Sequence, residues 1–229
     1  MRQLFLLAVF LLWSTSPAFS AACPQAGDPN VIVTTDTGPI QFDRSQSIPQ
    51  LTRLAAEPLA RQATTAREHV PMGLTAAQAE TRYKVEARIS RLPDGTVCAA
   101  LTDLTIQLSH AKTTVYIARE LPVGSCIERE VKIHENRHVA VNNGILSEYQ
   151  ARISNELRPS LRNIGALRVN NPEVGMEAIS QRVKPYIDAA IKKMDTERLR
   201  RQAQIDTPQE YERASRVCNG EAQRYIPRR

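Results

Sequence analysis

The pentapeptide HENRH at positions 134–138 constrains this chain more than any other part of its sequence. Ser125, with Glu128 three residues later, forms a capping-box pattern and predicts that a helix begins just before the pentapeptide. The two histidines, His134 and His138, continue an apolar stripe with helical spacing. We therefore predict that both histidines lie on a helix and face the structure against which it packs.

The HExxH spacing is typical of zinc peptidases. Two histidines four residues apart project from the same face of a helix, one turn apart, so both imidazoles can bind one ion. The glutamate beside the first histidine then stands where it can act as a general base. We predict His134 and His138 as Zn²⁺ ligands and Glu135 as the catalytic residue. The alternative is a pair of core or surface histidines without a metal.

A catalytic zinc site needs a third protein ligand, which the motif does not identify. Gly144 stands where metzincin peptidases have a further histidine. Glu156 qualifies only if the chain turns back near Gly144, because on a straight helix it would lie ~27 Å from His138. Five acidic residues after the motif are candidates, and the sequence leaves the choice open: Glu148, Glu156, Asp206, Glu210 and Glu212.

Residues 1–22 have the three parts of a Sec signal peptide: a basic start, a short apolar run and small residues before the cleavage site. The apolar run is too short to cross a bilayer, and no other stretch predicts a stable membrane span. We therefore expect a periplasmic or extracellular protein. Lipidation at Cys23 is the less favoured alternative, because Ser20 stands where a lipoprotein signal has a Leu-like residue.

The number of cysteines agrees with export. An even number in an oxidising compartment predicts two disulfides. Three pairings are possible, and the sequence does not choose among them. The four residues concerned are Cys23, Cys98, Cys126 and Cys218.

Charge argues against a nucleic-acid partner. The chain has 30 basic and 24 acidic residues, a net charge of +6, but the basic residues are scattered among the acidic ones. Such a mixture is typical of a solvated surface rather than of a nucleic-acid interface.

The remaining chain predicts one α+β domain. Residues 23–75 contain six prolines and look irregular, with a short strand at 31–33 and a helix within 48–68. Whether this segment inhibits the site is left open. Alternating residues predict strands at 83–92 and 104–109, joined by a turn at 93–95, and a β-branched run predicts a third strand at 113–121.

From residue 125 onward the pattern is helical. Pro159 is expected to end the motif helix, and a long helical segment is expected from 172 to about 211, with an apolar stripe that predicts core packing. Residues 76–229 are thus expected to form a zincin-like α+β domain. In it a small antiparallel β-meander packs on the HExxH helix and on the long C-terminal helical segment. His69 and His110 are interpreted as surface residues.

Further residues agree with a family pattern that runs from Gly73 to Ile226. They comprise the strand Tyr83–Ile89, Gly95-Thr96-Val97-Cys98, Leu121-Pro122, the HENRH helix with Tyr149-Gln150-Ala151-Arg152, and Cys218. On these residues the chain resembles a bacterial family of uncharacterised domains described as predicted secreted zinc-dependent proteases. The resemblance implies a periplasmic or extracellular metalloprotease. The family's late Asp-Thr-His-type segment stands here as Ile205-Asp206-Thr207-Pro208, without the histidine.

We therefore expect an exported zinc-dependent metallopeptidase that hydrolyses peptide bonds of a peptide or protein substrate, in the cell envelope or outside the cell. The alternative is a non-catalytic envelope protein with a structural metal site or no metal, which docks a partner or peptidoglycan. The oligomeric state does not follow from the sequence.

Overall fold

The computed structural model describes residues 22–24, 27–56 and 70–225. The predicted signal peptide, apart from Ala22, lies outside the described residues, as do His69 and the second half of the helix expected within 48–68. The described residues form five strands, four α-helices and a short 3₁₀ helix. In chain order these are β1 (Asn30–Asp36), β2 (Ile40–Asp43), α1 (Ile48–Ala56), β3 (Gly73–Arg91), β4 (Val97–Ile117), α2 (Cys126–Arg162), β5 (Ala166–Val169), α3 (Pro172–Ala203), α4 (Pro208–Gly220) and the 3₁₀ helix Glu221–Arg224.

The sheet is built around β4. Strand β3 pairs with β4 antiparallel along its whole length, while β5, β1 and β2 follow one another along the opposite edge of β4. Strands β1 and β2 run parallel to β4, and β5 runs antiparallel to it. The predicted α+β class is confirmed, but the predicted antiparallel meander is wrong, because the sheet includes parallel pairs.

The two strands expected at 104–109 and 113–121 are one strand, β4, with a bulge. Ala79 pairs with His110 and Gln78 with Lys112, which leaves Ala111 as an extra residue. A bulge shifts the inward side of the strand by one residue, so the period-two pattern breaks although the strand continues. His110 is therefore not in a turn at the surface; it lies in β4 and is 2 % exposed.

The hairpin between β3 and β4 agrees with the prediction, although β3 begins ten residues earlier than expected. Gly95 adopts a φ of +83°, which favours glycine, and its N–H donates to the Leu92 carbonyl oxygen at 2.9 Å. The Asp94 carboxylate accepts a hydrogen bond from the Thr96 N–H at 2.9 Å. The predicted turn at 93–95 is thus confirmed.

We expected residues 23–75 to be largely irregular, but the described part of this range supplies β1, β2 and α1. The predicted strand at 31–33 is the centre of β1, and the helix expected from 48 begins at Ile48. Both strands pair with β4, more than 70 residues later in the chain. Parallel pairs need long connections, so local alternation and proline spacing do not reveal them. The expected boundary after residue 75 falls inside β3, and the two parts share one sheet.

Helix α2 carries the HENRH segment and runs without a break for 37 residues. Its predicted cap is confirmed: the Ser125 hydroxyl accepts a hydrogen bond from the Glu128 N–H at 3.2 Å. The helix passes Gly144 and ends at Arg162, three residues after the end expected at Pro159. A proline in the last turn removes only one hydrogen bond near a fraying end, so the helix continues through it.

The core lies between one face of the sheet and the helices α2 and α3. On α3, Ile179, Val183, Ile187 and Met194 are buried, as the apolar stripe predicted. They belong to the same cluster as the inward residues of β4 and the buried face of α2. This packing sets α2 firmly on the sheet, with the histidine-bearing face turned towards the segment that follows α3.

Two disulfides are present, as predicted: Cys23–Cys98 and Cys126–Cys218. They fit an extracellular or periplasmic protein. The sulfur of Cys23 is bonded to Cys98, so in this structure it is not available for the alternative of lipidation. Among the described helices, none combines the length and the apolar run needed to cross a bilayer.

Candidate metal centre

Three side chains converge at the middle of α2. Nε2 of His134 and Nε2 of His138 lie 3.2 Å apart. Oδ1 of Asp206 lies 3.2 Å from the first nitrogen and 3.3 Å from the second. The three residues form a group that could hold a metal ion.

The size of this triangle fits tetrahedral coordination. Zinc binds imidazole nitrogen and carboxylate oxygen at ~2.0–2.2 Å, and in a tetrahedron neighbouring ligand atoms are then about 3.3–3.5 Å apart. The observed edges of 3.2, 3.2 and 3.3 Å are close to that spacing. The donor set, two imidazoles and one carboxylate, is also one that zinc accepts in catalytic sites. The geometry and the chemistry of the donors thus both fit the ion.

The turn between α3 and α4 brings Asp206 to the histidines. Helix α3 ends at Ala203, and the Asp206 N–H still donates to the Gln202 carbonyl oxygen at 3.4 Å. Thr207 then caps α4, because its hydroxyl accepts a hydrogen bond from the Glu210 N–H at 3.2 Å. The chain therefore reverses around Asp206 and directs its carboxylate back to α2.

The other four acidic candidates have different partners. Each makes an ion pair or hydrogen bond with a basic side chain and is not in the three-residue group. The pairs are Glu148 with Arg201 (2.7 Å), Glu156 with Lys193 (3.0 Å), Glu210 with Arg137 (2.5 Å) and Glu212 with Arg216. Glu156 is excluded because α2 continues without a break past Gly144, which places it ~27 Å along the helix from His138.

Gln202 determines which nitrogen of His138 faces the centre. The Gln202 amide nitrogen donates to Asn142 Oδ1 at 2.8 Å and to the His138 carbonyl oxygen at 3.1 Å. Its amide oxygen therefore points at Nδ1 of His138 and accepts a hydrogen bond from it. With the proton on Nδ1, the lone pair of Nε2 is free for a metal.

Glu210 lies on the outer side of the other histidine. Its Oε1 is 3.4 Å from Nδ1 of His134 and 2.9 Å from the Arg213 guanidinium. The hydrogen bond with Arg213, aided by His134 and Arg137, lowers the pKa of Glu210 to about 2. The Arg137 guanidinium, which pairs with Glu210, lies closer to the same Nδ1 of His134, at 3.0 Å, so both groups flank the outer edge of this ring.

Glu135 lies beside the triangle and is 4 % exposed. Its Oε2 accepts a hydrogen bond from the Thr75 hydroxyl at 2.8 Å, and in the described part of the chain no arginine pairs with it. Burial raises the pKa of this carboxyl above its usual value, against the opposing effect of His138 and His134. Arg137 of the motif turns away from Glu135 and pairs with Glu210.

The charges of the centre favour a cation. Burial alone would raise the pKa of Asp206, but its contacts with His134 and His138 lower that pKa well below the usual range. Burial alone would lower the pKa of His138, but Asp206 and Glu135 outweigh it and raise that pKa. Positive charge among these groups is therefore stabilised. The His134 side chain is 17 % exposed, more than that of His138 or Asp206, so it is the most accessible member of the group.

Several residues at or near the centre were not predicted from the sequence. Gln202 and Tyr211 lie in strongly charged helical stretches without a motif, and Thr75 and Gly73 begin a strand predicted to start at 83. One local pattern indicates the chain reversal that carries Asp206, although it does not show which acid faces the histidines. Asp206 precedes Thr207-Pro208 and Glu210, a cap and first helical turn, so a chain reversal there was readable from the sequence.

Two cavities lie apart from this centre. One, of about 480 Å³, runs between β3 and α3 past Tyr83 and Ile187. The other, of about 130 Å³, lies beside His110 and Arg198. Neither is lined by the histidines of the motif or by Asp206, so neither is assigned to the candidate metal centre.

No family model matches the chain, and no curated protein or solved structure is significantly similar to it.

Proposed function

We propose that this chain is an exported zinc-dependent metallopeptidase that hydrolyses peptide bonds in the cell envelope or outside the cell. The observation that carries the proposal is the convergence of His134, His138 and Asp206 within 3.3 Å of one another, with Glu135 buried alongside. The sequence pattern that we interpret as a resemblance to predicted secreted zinc-dependent proteases would imply the same function. Asp206, in the segment where that family has its Asp-Thr-His pattern, is our candidate for the third ligand.

The roles follow from position. His134, His138 and Asp206 would hold the ion. A bound zinc ion would act as a Lewis acid that polarises the carbonyl group and lowers the pKa of a bound water towards ~7. Glu135 takes a proton from the attacking water and returns it to the leaving amine. The Thr75 hydroxyl, which donates to Oε2 of Glu135, holds that carboxylate in one orientation.

The number of ligands supports catalysis over a structural role. Structural zinc sites generally use four protein ligands, whereas catalytic sites use three and leave one position open. The candidate group in the described residues has three members. The Glu135 carboxylate is hydrogen-bonded by a hydroxyl. It is not neutralised by a cation in the described residues, so it can accept a proton. These observations favour the peptidase over the non-catalytic envelope protein.

The proposal is tested by metal analysis together with hydrolysis of a peptide library by the mature protein, purified with its disulfides intact. We expect about one zinc per chain. His134→Ala and Asp206→Asn should lose the metal, while Glu135→Gln should retain it, and all three should lose hydrolysis. Glu212→Gln is the matched control, because Glu212 is an exposed acid paired with Arg216, and it should leave both properties unchanged.

Two results would contradict the proposal. A wild-type protein that holds no zinc at neutral pH without chelator would exclude the metal centre. A protein that holds zinc, but whose Glu135→Gln variant hydrolyses peptides as fast as the wild type, would exclude the assigned mechanism.

A further inference from the structure

Tyr211 is held next to Asp206 by the first turn of α4. Its N–H donates to the Thr207 carbonyl oxygen at 3.1 Å, and Pro208 stiffens the start of the helix. Asp206 immediately precedes the cap residue Thr207. A single capped turn therefore sets the position of both the acid and the phenol.

The phenol contacts the oxygen that faces the histidines. The Tyr211 hydroxyl donates a hydrogen bond to Oδ1 of Asp206 at 3.1 Å. The same oxygen lies 3.2 Å from Nε2 of His134 and 3.3 Å from Nε2 of His138. The Tyr211 ring centre is 6.4 Å from that of His134, with the planes tilted by 39°. The phenol thus borders the centre on the α4 side.

We propose that Tyr211 is a positioning residue of the metal centre, whose hydroxyl holds Oδ1 of Asp206 towards the two imidazoles. The inference rests on the proposed metal-binding function. A carboxylate can present either oxygen, and rotation about its last bond is soft. A donor on one oxygen selects the orientation of the carboxylate, here with Oδ1 towards the imidazoles. Partners of this kind, which orient a metal ligand, typically contribute ~10–100-fold to metal affinity or activity.

The hydroxyl can be tested separately from the packing of the ring. Tyr211→Phe keeps the ring and removes only the donor. Tyr225→Phe is the matched control, because the Tyr225 hydroxyl also contacts a glutamate, Glu221 Oε1 at 3.4 Å, which is not a candidate ligand. A purely structural role for these hydroxyls would alter stability in both variants without changing metal affinity.

The experiment measures Zn²⁺ affinity by competition with a chromophoric chelator, and the absorption spectrum of the Co²⁺-substituted protein. We expect Tyr211→Phe to bind Zn²⁺ about 10-fold or more weakly than wild type, with a changed Co²⁺ spectrum. Tyr225→Phe should match wild type in both. Thermal unfolding of the metal-free proteins verifies that each variant is folded.

The outcomes separate this inference from the proposed function. Equal Zn²⁺ affinity and an unchanged Co²⁺ spectrum in Tyr211→Phe would overturn the role of Tyr211 while the peptidase proposal stands. Weaker binding in Tyr211→Phe, in a wild-type protein that hydrolyses nothing, would support the role of Tyr211 and count against the peptidase. A wild-type protein that binds no Zn²⁺ would overturn both.

Discussion

Gly73 and Glu135 are so close that a β-carbon on residue 73 would lie 2.6 Å from Oε1 of Glu135. It would also lie 2.6 Å from a methyl carbon of Val131, one turn earlier on α2. Real β-carbons do not approach other atoms so closely, so only glycine fits between β3 and this part of the helix. The contact packs the start of β3 directly against Glu135, the general base of the proposed reaction.

Replacing Gly73 with alanine should therefore damage both the fold and the proposed reaction. We expect a loss of about 1–3 kcal/mol in the free energy of unfolding, because α2 or β3 must shift to admit the methyl group. Hydrolysis should fall more than zinc affinity, since the displaced group is the base and not a ligand. Urea unfolding, zinc titration and peptide hydrolysis measure the three effects.

Gly144→Ala is the matched control for Gly73→Ala. Nothing lies within 4 Å of an added β-carbon there, and residue 144 is inside α2. Alanine should then stabilise the protein by about 0.5–1 kcal/mol through its greater helix propensity. A Gly73→Ala variant as stable and active as Gly144→Ala would contradict the close contact.

Gln202→Leu should weaken metal binding through His138. The substitution removes the amide that holds Nδ1 of His138, and it leaves the buried Asn142 oxygen without its donor. We expect zinc affinity to fall ~10–100-fold and stability to fall by about 1–3 kcal/mol. Isothermal titration with Zn²⁺ and urea unfolding measure these changes.

Gln181→Leu provides the comparison on the same helix. Gln181 is exposed and donates to Glu177, far in sequence from the centre. Its loss should change stability by less than about 0.5 kcal/mol and leave zinc affinity unaltered. If both glutamine variants bind zinc like the wild type, Gln202 has no role in orienting His138.

The Cys126–Cys218 disulfide should support the metal centre more than Cys23–Cys98 does. It joins the start of α2 to the end of α4, so the α4 segment that follows Asp206 is clamped beside the motif. The two disulfides span 75 and 92 residues, so loop entropy predicts a similar stabilisation of about 4.5 kcal/mol for each. If lost stability were the only effect, removal of either disulfide would therefore change zinc affinity to a similar extent.

We expect the double variant Cys126→Ser/Cys218→Ser to bind zinc several-fold more weakly than Cys23→Ser/Cys98→Ser. Both variants should be compared at a temperature where circular dichroism shows that they are folded, with zinc affinity measured by chelator competition. Equal zinc affinity in the two would show that α4 stays in place without its disulfide.

Glu128 should make stability depend on pH at the start of α2. The side chain is 2 % exposed; it contacts Arg44 at 2.6 Å and Lys132 at 2.9 Å, and accepts a hydrogen bond from the Gly124 N–H at 2.7 Å. The hydrogen bond with Lys132, followed by that from Gly124, lowers the pKa of Glu128 below its usual value. A carboxyl with a lowered pKa stabilises the fold above its unfolded pKa, and that contribution disappears as pH falls through the folded pKa.

Glu128→Gln should therefore cost about 1–3 kcal/mol at pH 7. The difference from wild type should shrink as the pH falls below about 4.5, near the unfolded pKa of a glutamate. Urea unfolding of the wild type and of Glu128→Gln between pH 7 and pH 3 measures this difference in unfolding free energy. A difference that stays constant over that range would show that the charge of Glu128 does not contribute.

Much of the local structure was predictable because it depends on neighbours in the chain. The Ser125 cap, the Pro93-Asp94-Gly95 turn and the buried stripe of α3 all follow from patterns a few residues long. The full length of β4 was not predictable, because the bulge near Ala111 interrupts the alternation of apolar and polar residues on which strand prediction depends. The parallel pairing of β1 and of β2 with β4 also could not be predicted from local sequence patterns.

For the centre, the sequence by itself determined two candidate ligands and a candidate base, since His134, Glu135 and His138 are placed by the period of one helix. It did not determine the third member. Asp206 lies 68 residues after His138, and at that distance the chain can place any of several acids near α2. Only the packing of α3 on the sheet and the reversal at Thr207 decide that Asp206 faces both imidazoles while Glu210 stands behind one of them. Spacing along a helix fixes relative positions rigidly, whereas positions joined through loops depend on the whole fold.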